Sequence, residues 1–189
     1  DLADKYSAGE IRLTVEQNLI LPNVANSLVD DLLKEPAVGP KSRLSIAPGN
    51  IAGHTVSCTG SQFCGLAIIE TKNSADRIAK LLQEKVIVPK PLRIHWTGCP
   101  NSCGQVQAAD IGIMGAPARK KDPTTGKAKA VPGCNIFVGG TIGEHSHLSL
   151  DPYKKGVPLE DDDLLPELID IIVTKFNGKL KRKKFLGIF

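Results

Sequence analysis

The chain has 189 residues, of which 41% are apolar, 23% charged and 4% aromatic. This size and apolar fraction can bury a core in one large domain or two small ones, and they exclude a disordered chain. A formal net charge of +4 is too small to indicate a nucleic-acid-binding protein. No apolar run reaches the roughly 18 residues that a membrane helix needs. Five cysteines are too few for a disulfide scaffold, and an odd number cannot all pair.

The patterns in the first part of the chain indicate that these residues form the end of a structural unit. Apolar and polar residues alternate over 11–16, which is typical of a half-buried strand. Apolar residues at helical spacing then predict a helix over 24–35. The prolines and glycines over 36–49 indicate a boundary. We therefore predict one domain over residues 1–38 and a second over residues 39–189.

The second domain mixes helix and strand patterns, so we predict an α+β fold. A helix is expected over 64–85 and a strand over 92–96. Two more strands, over 109–114 and 135–138, flank a turn signal and predict a long hairpin. A last helix is expected over 161–176, because acidic residues precede its apolar face and Asn-Gly follows it.

Four of the five cysteines fall into two motifs, each in a turn rich in small residues. Cys58 and Cys64 are separated by five residues, and Cys99 and Cys103 by three. Four thiolates converging from two loops suit either tetrahedral zinc or a 4Fe–4S cluster, and the wide first loop favours the cluster. Buried reduced thiols remain an alternative, since free cysteine is often buried. Cys64 is also expected to open a helix, whose N-terminus favours the thiolate.

The motifs closely resemble the signature of ferredoxin-dependent nitrite reductases, within the sirohaem nitrite and sulfite reductase family. The resemblance rests on Cys58-Thr-Gly-Ser-Gln-Phe-Cys64, on Cys99-Pro-Asn-Ser-Cys103 and on the residues after each, and it covers nearly the whole chain. Sulfite reductases share the spacing but typically differ at the positions of Gln62-Phe63 and of residues 68–72. The resemblance therefore favours nitrite, with a sirohaem sulfite reductase as the first alternative.

The resemblance implies cofactors and a fold. The cluster ligands would be the four motif cysteines, Cys58, Cys64, Cys99 and Cys103. Cys103 would also bind the sirohaem iron axially and so bridge the two cofactors. Asn101 and Gln105, beside this bridge, are candidate hydrogen-bond donors to sulfur or to the macrocycle. The expected fold is the end of a ferredoxin-like domain followed by an α/β domain that binds sirohaem and the cluster.

The implied reaction is the six-electron reduction of nitrite to ammonium, with reduced ferredoxin as the electron donor. In the family, basic residues that hold the anion lie in an N-terminal half. We therefore expect a C-terminal fragment that is inactive by itself and has no catalytic residue beyond the bridging Cys103. The implied protein is a monomer of the plastid stroma or, alternatively, of a cyanobacterial cytoplasm, with no membrane or nucleic-acid partner.

Two basic clusters could steer an acidic ferredoxin. One lies in the predicted hairpin, over 119–129, and the other in the tail, over 179–184. Solvated loops are the plainer interpretation of both clusters.

Besides a nitrite and a sulfite reductase, a third interpretation of the whole chain is a non-catalytic binding module. Zinc or a cluster would stabilise this module, and its basic tail would contact nucleic acid.

Overall fold

The computed structural model describes residues 1–39, 42 and 44–181. Its chain divides into two compact units, residues 1–49 and residues 50–189. Both helices and strands are present, and the larger unit is built on a mixed five-stranded sheet, so the predicted α+β class is confirmed.

The first unit contains short elements. Its helices are α1 (Leu2–Tyr6) and α2 (Val29–Leu32), and its strands are β1 (Arg12–Leu13) and β2 (Leu19–Ile20). The two strands pair antiparallel. The predicted helix over 24–35 is shorter than expected, because a 3₁₀ turn occupies Asn26–Leu28 before α2 begins.

The strand predicted over 11–16 is present but is not half-buried. β1 spans two residues, and both are exposed. Leu13 and Val15 are 83% and 92% exposed, so the prediction of one buried face is wrong for this unit. A two-stranded ribbon offers no third strand or helix against which such a face could pack.

The second unit holds a sheet with the strand order β3-β5-β6-β7-β8. Its elements are α3 (Gly49–Ala52), β3 (Thr55–Ser57), α4 (Lys72–Lys85), β4 (Val86–Ile87), β5 (Ile94–Thr97), β6 (Ile111–Lys121), β7 (Ala128–Val138), β8 (Lys154–Pro158), α5 (Asp161–Lys175) and β9 (Lys179–Leu180). Strands β3, β5 and β6 are parallel, whereas β7 and β8 continue the sheet antiparallel. The short strands β4 and β9 pair separately.

The core lies where helices α4 and α5 pack on the sheet. Trp96, Ile113 and Ile136 from the sheet join Leu82 of α4 and Leu168 of α5 in one buried cluster. A smaller cluster contains Val106, Met114 and Phe137. Because residues adjacent in a strand point to opposite faces, Ile113 and Met114 place these two clusters on opposite sides of β6. Both faces of the central strands are therefore covered.

The predicted hairpin and last helix are confirmed. Strands β6 and β7 each run for 11 residues and pair continuously. Helix α5 begins with three aspartates and ends before Asn177, which adopts a left-handed conformation at φ 54°. Pro166 lies inside the helix, in its second turn. No helix in the described ranges combines the length and the apolarity that crossing a bilayer requires.

The predicted helix over 64–85 begins later than expected. Helix α4 starts at Lys72, so Cys64 does not open a helix and receives no help from a helix N-terminus. The preceding backbone is held differently, because the N–H of Ile68 donates to the carbonyl of Gly98 at 2.7 Å. This hydrogen bond to the loop that contains Gly98 takes the place of the hydrogen bond that Ile68 would make within a helix.

Candidate functional site

The two cysteine motifs meet at one edge of the sheet. Strands β3 and β5 are parallel, with Ser57 paired with Trp96. Cys58 follows the end of β3 directly, and Cys99 comes two residues after the end of β5. The carboxyl ends of neighbouring parallel strands form a common edge, where ligands of open α/β sheets usually bind. The sheet therefore brings together loops that are distant in sequence.

The loops contact each other through Gly98. Its N–H donates to the Cys58 sulfur at 3.2 Å, while its carbonyl accepts from the N–H of Ile68. A Cβ built on Gly98 would lie 2.6 Å from the Cβ of Ala67. No side chain fits at this position without displacing the first loop. The glycine thus permits the close approach that gives Cys58 its donor.

The second loop folds back onto the strand that precedes it. A Cβ on Gly104 would clash with the carbonyl of Trp96, so the loop main chain lies directly against β5. His95 Nδ1 and the Gly104 carbonyl oxygen are 2.8 Å apart. Ser102 is left-handed at φ 54°, and its hydroxyl donates to Gln107 Oε1 at 2.6 Å. These contacts give the loop around Cys103 a defined shape.

The predicted site residues differ in burial. Cys99 is buried, Cys58 and Cys64 are half-buried, and Cys103 is exposed. All of them are free thiols, as is Cys134, which is fully buried in β7 and belongs to neither motif. Asn101 and Gln105, on either side of Cys103, are exposed, and Gln105 is left-handed at φ 55°. Among residues 1–39, 42 and 44–181, no three His, Cys, Asp or Glu side chains are grouped closely enough to hold a metal ion.

Hydrogen bonds favour the ionised form of Cys58. Burial raises the pKa of this thiol, but backbone N–H groups of Gly98 and Gly60 lower it. Hydroxyl groups of two threonines, Thr71 and Thr97, lower it further, and the net pKa of Cys58 lies below its ordinary value. The thiolate is the form that binds metal. A sulfur with several donors also suits an iron–sulfur cluster, whose negative charge such donors disperse.

The residue types present therefore fit a 4Fe–4S cluster. Four free thiols lie in two touching loops, and a backbone N–H already points at one of the sulfurs. Sulfur ligands that surround four irons are farther apart than ligands that share one ion. The fit therefore rests on the four thiols and on the loop backbone that supplies the N–H donor.

Sequence reasoning missed two residues of the first loop. Thr71 is fully buried, and its hydroxyl donates to the Cys58 carbonyl at 2.6 Å. The carboxylate of Glu70 accepts the N–H groups of Asn73 and Ser74 at 3.1 and 3.0 Å, and so caps helix α4. The detectable signal was an acidic residue and a threonine just before the apolar helical spacing, a common N-terminal signature.

The structure also divides the basic cluster of the hairpin. Lys120 lies 2.6 Å from Glu160 and 2.5 Å from Asp163, so its charge is neutralised within the fold. The carboxylates of Asp163 and Glu160 raise the pKa of Lys120. Arg119, Lys121 and two further lysines, Lys127 and Lys129, are exposed. Of the tail cluster, Lys179 and Lys181 are exposed, whereas residues 182–184 lie outside the described residues.

A family model described as the nitrite and sulphite reductase 4Fe–4S domain matches residues 49–185. The chain belongs to the nitrite and sulphite reductase family. A second model, the nitrite/sulfite reductase ferredoxin-like half domain, matches residues 1–38. The resemblance noted in the cysteine motifs is confirmed, and the family description names the predicted 4Fe–4S cluster.

The chain is similar to reductases of plants and cyanobacteria. A chloroplastic ferredoxin–nitrite reductase of Zea mays is 50% identical over 183 residues, which are 97% of this chain and 30% of that protein. A ferredoxin–nitrite reductase of Synechococcus elongatus is 45% identical over 181 residues, or 95% of this chain and 33% of that protein. This member of the nitrite and sulphite reductase family thus spans about a third of the length of these relatives.

A solved structure has a similar fold. The NirA protein of Mycobacterium tuberculosis superimposes with a TM-score of 0.71 at 25% sequence identity. The match covers 92% of this chain and 31% of NirA. An experimental structure therefore contains the same arrangement of helices and strands within part of its chain.

Proposed function

We propose that this chain is the C-terminal part of a ferredoxin-dependent nitrite reductase, which reduces nitrite to ammonium by six electrons. The observation that carries the proposal is the meeting of the two cysteine loops at one sheet edge, with the Gly98 N–H on the Cys58 sulfur. The relatives named ferredoxin–nitrite reductase support the choice of substrate and donor. The proposed domain boundary after residue 38 stays a prediction.

The proposed cluster ligands are the four cysteines of the two motifs, Cys58, Cys64, Cys99 and Cys103. Cys103 is exposed, so its sulfur is accessible to a second cofactor, and in the proposed holoenzyme it would also bind the sirohaem iron. When bound, the two cofactors supply single-electron storage beside an iron that binds the anion. Asn101 and Gln105 are exposed beside Cys103, where their amides could donate to the macrocycle or to sulfur.

This chain's own residues hold and polarise the proposed ligands. Gly98 places a backbone donor on Cys58, and Thr71 holds the carbonyl of Cys58. The left-handed backbone of Ser102 and Gln105 turns the second loop around Cys103. Because the chain spans about a third of its relatives, we propose that the basic residues that bind nitrite lie outside these 189 residues.

Reduced ferredoxin is the proposed donor, and the exposed cations of the hairpin support an acidic partner. Strand β6 is parallel to β5 and pairs with it only as far as Met114. It continues to Lys121, roughly 23 Å farther in the direction in which the cysteine loops lie. The hairpin therefore carries Lys121 and its neighbours beyond the same edge of the sheet. The proposed holoenzyme is a monomer of the plastid stroma or of a cyanobacterial cytoplasm.

The test is a spectrum and an assay of the full-length enzyme. Sirohaem absorption together with a 4Fe–4S electron paramagnetic resonance signal on reduction is the expected result, and it excludes a zinc-stabilised binding module. Nitrite should be turned over faster than sulfite with reduced methyl viologen as donor. Faster sulfite turnover would make the chain a sulfite reductase, and absence of both cofactors would overturn the proposal.

A further inference from the structure

Thr71 occupies the N-terminal position of helix α4, but its hydroxyl does not cap that helix. A threonine at this position usually accepts a backbone N–H from the first turn of its own helix. Here Glu70 accepts the N–H groups of Asn73 and Ser74 instead. The Thr71 hydroxyl is therefore released from its usual role, and it donates to the Cys58 carbonyl at 2.6 Å.

Thr71 is also tightly enclosed by the loop that it contacts. The residue is fully buried, and its Oγ1 lies 3.8 Å from the Cys58 sulfur. Gly60 passes so close that a Cβ on it would lie 2.5 Å from Thr71 Oγ1. Gly60 is also left-handed at φ 75°, a conformation that glycine adopts without strain. The loop backbone is thus shaped around this one hydroxyl.

Helix α4 gives Thr71 a rigid support. Ala75, Ile78 and Leu82 of this helix are buried in the main core. A hydroxyl anchored at the start of such a helix holds the Cys58 carbonyl at a fixed place relative to the sheet. The same Cys58 receives the Gly98 N–H on its sulfur and donates its own N–H to the Trp96 carbonyl at 3.0 Å. These three hydrogen bonds fix the carbonyl, the N–H and the sulfur of Cys58, in addition to the other donors to its sulfur.

We propose that Thr71 is a positioning residue that keeps the Cys58 thiolate aligned with the Gly98 N–H and so raises the reduction potential of the cluster. The inference rests on the proposed function, since it requires Cys58 to be a cluster ligand. A donor to a ligating sulfur stabilises the reduced cluster more than the oxidised one, because reduction adds negative charge. Loss of the Thr71 hydroxyl frees the Cys58 main chain and weakens that donor.

The test compares Thr71→Val with Thr71→Ser in the full-length enzyme. Valine keeps the branched shape and removes the hydroxyl, whereas serine keeps the hydroxyl. In a redox titration followed by electron paramagnetic resonance, we expect the cluster midpoint to shift to more negative potential in Thr71→Val and to return towards the wild-type value in Thr71→Ser. Thr55→Val is the matched control, because Thr55 also donates its hydroxyl to a backbone carbonyl, that of Ile51, at 2.8 Å.

Hydrogen exchange supplies a second readout that needs no cofactor. In the peptide over 56–66, we expect Thr71→Val to exchange several-fold faster than the wild type, both with and without the cluster, and Thr71→Ser to restore protection. If the wild-type enzyme bound no cluster, the proposed function would fall, and the exchange data would still decide whether Thr71 positions Cys58. An unchanged midpoint in Thr71→Val, or a shift that serine does not reverse, would overturn the inference while leaving the proposed function intact.

Discussion

Gly98 donates its backbone N–H to the Cys58 sulfur at 3.2 Å, across 40 residues of sequence. The contact exists because β3 and β5 are parallel neighbours and end at the same edge. It joins the two cysteine loops through protein atoms alone.

Gly98→Ala should separate the two cysteine loops. The new methyl group would lie 2.6 Å from the Cβ of Ala67 and 3.3 Å from the carbonyl oxygen of Ile69. We expect a loss of about 1–3 kcal/mol in the free energy of unfolding, measured in urea, together with a lower iron content. Gly65→Ala is the control in the first loop, since a Cβ there meets nothing within 4 Å. Equal behaviour of both variants would contradict the packing argument.

Removal of the Cys134 thiol should change how the free energy of unfolding depends on pH in alkaline solution. It should leave the cluster intact. Burial raises the pKa of the Cys134 thiol to about 12, from an ordinary value of 9.0. The folded form therefore holds this proton more tightly. Its stabilising effect is complete below pH 9 and is lost as the pH rises towards 12. By linkage, the loss at pH 10.5 is on the order of 1–2 kcal/mol.

The measurement is urea unfolding at pH 8 and at pH 10.5 under reducing conditions. Cys134→Ala should lose less stability than the wild type over this interval, although it starts from a lower value because of its cavity. Its iron content at pH 8 should equal that of the wild type. Loss of iron would show that Cys134 serves the cluster after all.

Glu70→Ala should destabilise helix α4 without removing the Thr71 hydroxyl bond. The carboxylate accepts two backbone N–H groups of the first turn, so its loss should cost about 1 kcal/mol. Thermal unfolding of the purified protein measures this cost. Asp76→Ala, which removes an exposed ion pair with Lys80 on the same helix, should cost no more than about 0.5 kcal/mol. A larger effect from Asp76→Ala would refute the capping role.

Charge reversal in the hairpin should weaken the response to ferredoxin. We expect Lys121→Glu and Lys129→Glu each to raise KM for ferredoxin several-fold at low ionic strength, and the effect should fade with added salt. Activity driven by reduced methyl viologen should stay unchanged. Lys90→Glu is the control, because exposed Lys90 precedes β5 and so lies towards the opposite edge of the sheet.

Lys120→Glu should behave differently from its neighbours. Its partners are Glu160 and Asp163, and the reversal would place three carboxylates together. We expect lower thermal stability, with a KM change no larger than the control shows. If KM for ferredoxin did not respond to Lys121→Glu or Lys129→Glu, the hairpin would not be part of the docking surface.

Residues 1–189 expressed alone should show little nitrite reduction, even after reconstitution with a cluster and sirohaem. The chain spans about a third of its relatives, and the proposed anion-binding residues lie outside it. Ammonium formation with reduced methyl viologen is the measurement, and the full-length enzyme is the control. Robust ammonium production by the short chain would show that this part contains a complete catalytic pocket.

Local patterns in the sequence were enough to predict several parts of the fold. The alternating strands and turn residues around 109–138 predicted the hairpin, and helical spacing after the aspartates at 161–163 predicted α5. The spacing of Cys58 and Cys64, and of Cys99 and Cys103, pointed to the cluster. The predictions of the hairpin and of α5 succeed because periodicity and turn chemistry act within a few residues of one another.

The tertiary structure decided what depends on contacts between distant segments. Helix α4 begins at Lys72 and not at Cys64, because Ile68 bonds to Gly98 in the other loop. The strand near Leu13 is exposed because no described residue of its unit packs over it. Lys120 is neutralised by residues 40 or more positions away.

The proposed role of Thr71 also depends on contacts between distant segments. The number and spacing of the cysteines are local features, so the sequence by itself predicted four cluster ligands, and that assignment stays a prediction. Only the parallel pairing of β3 and β5, and the packing of α4 against β3, set which donors face Cys58. Hydrogen bonds between loops depend on that register, and no short pattern in the chain encodes it.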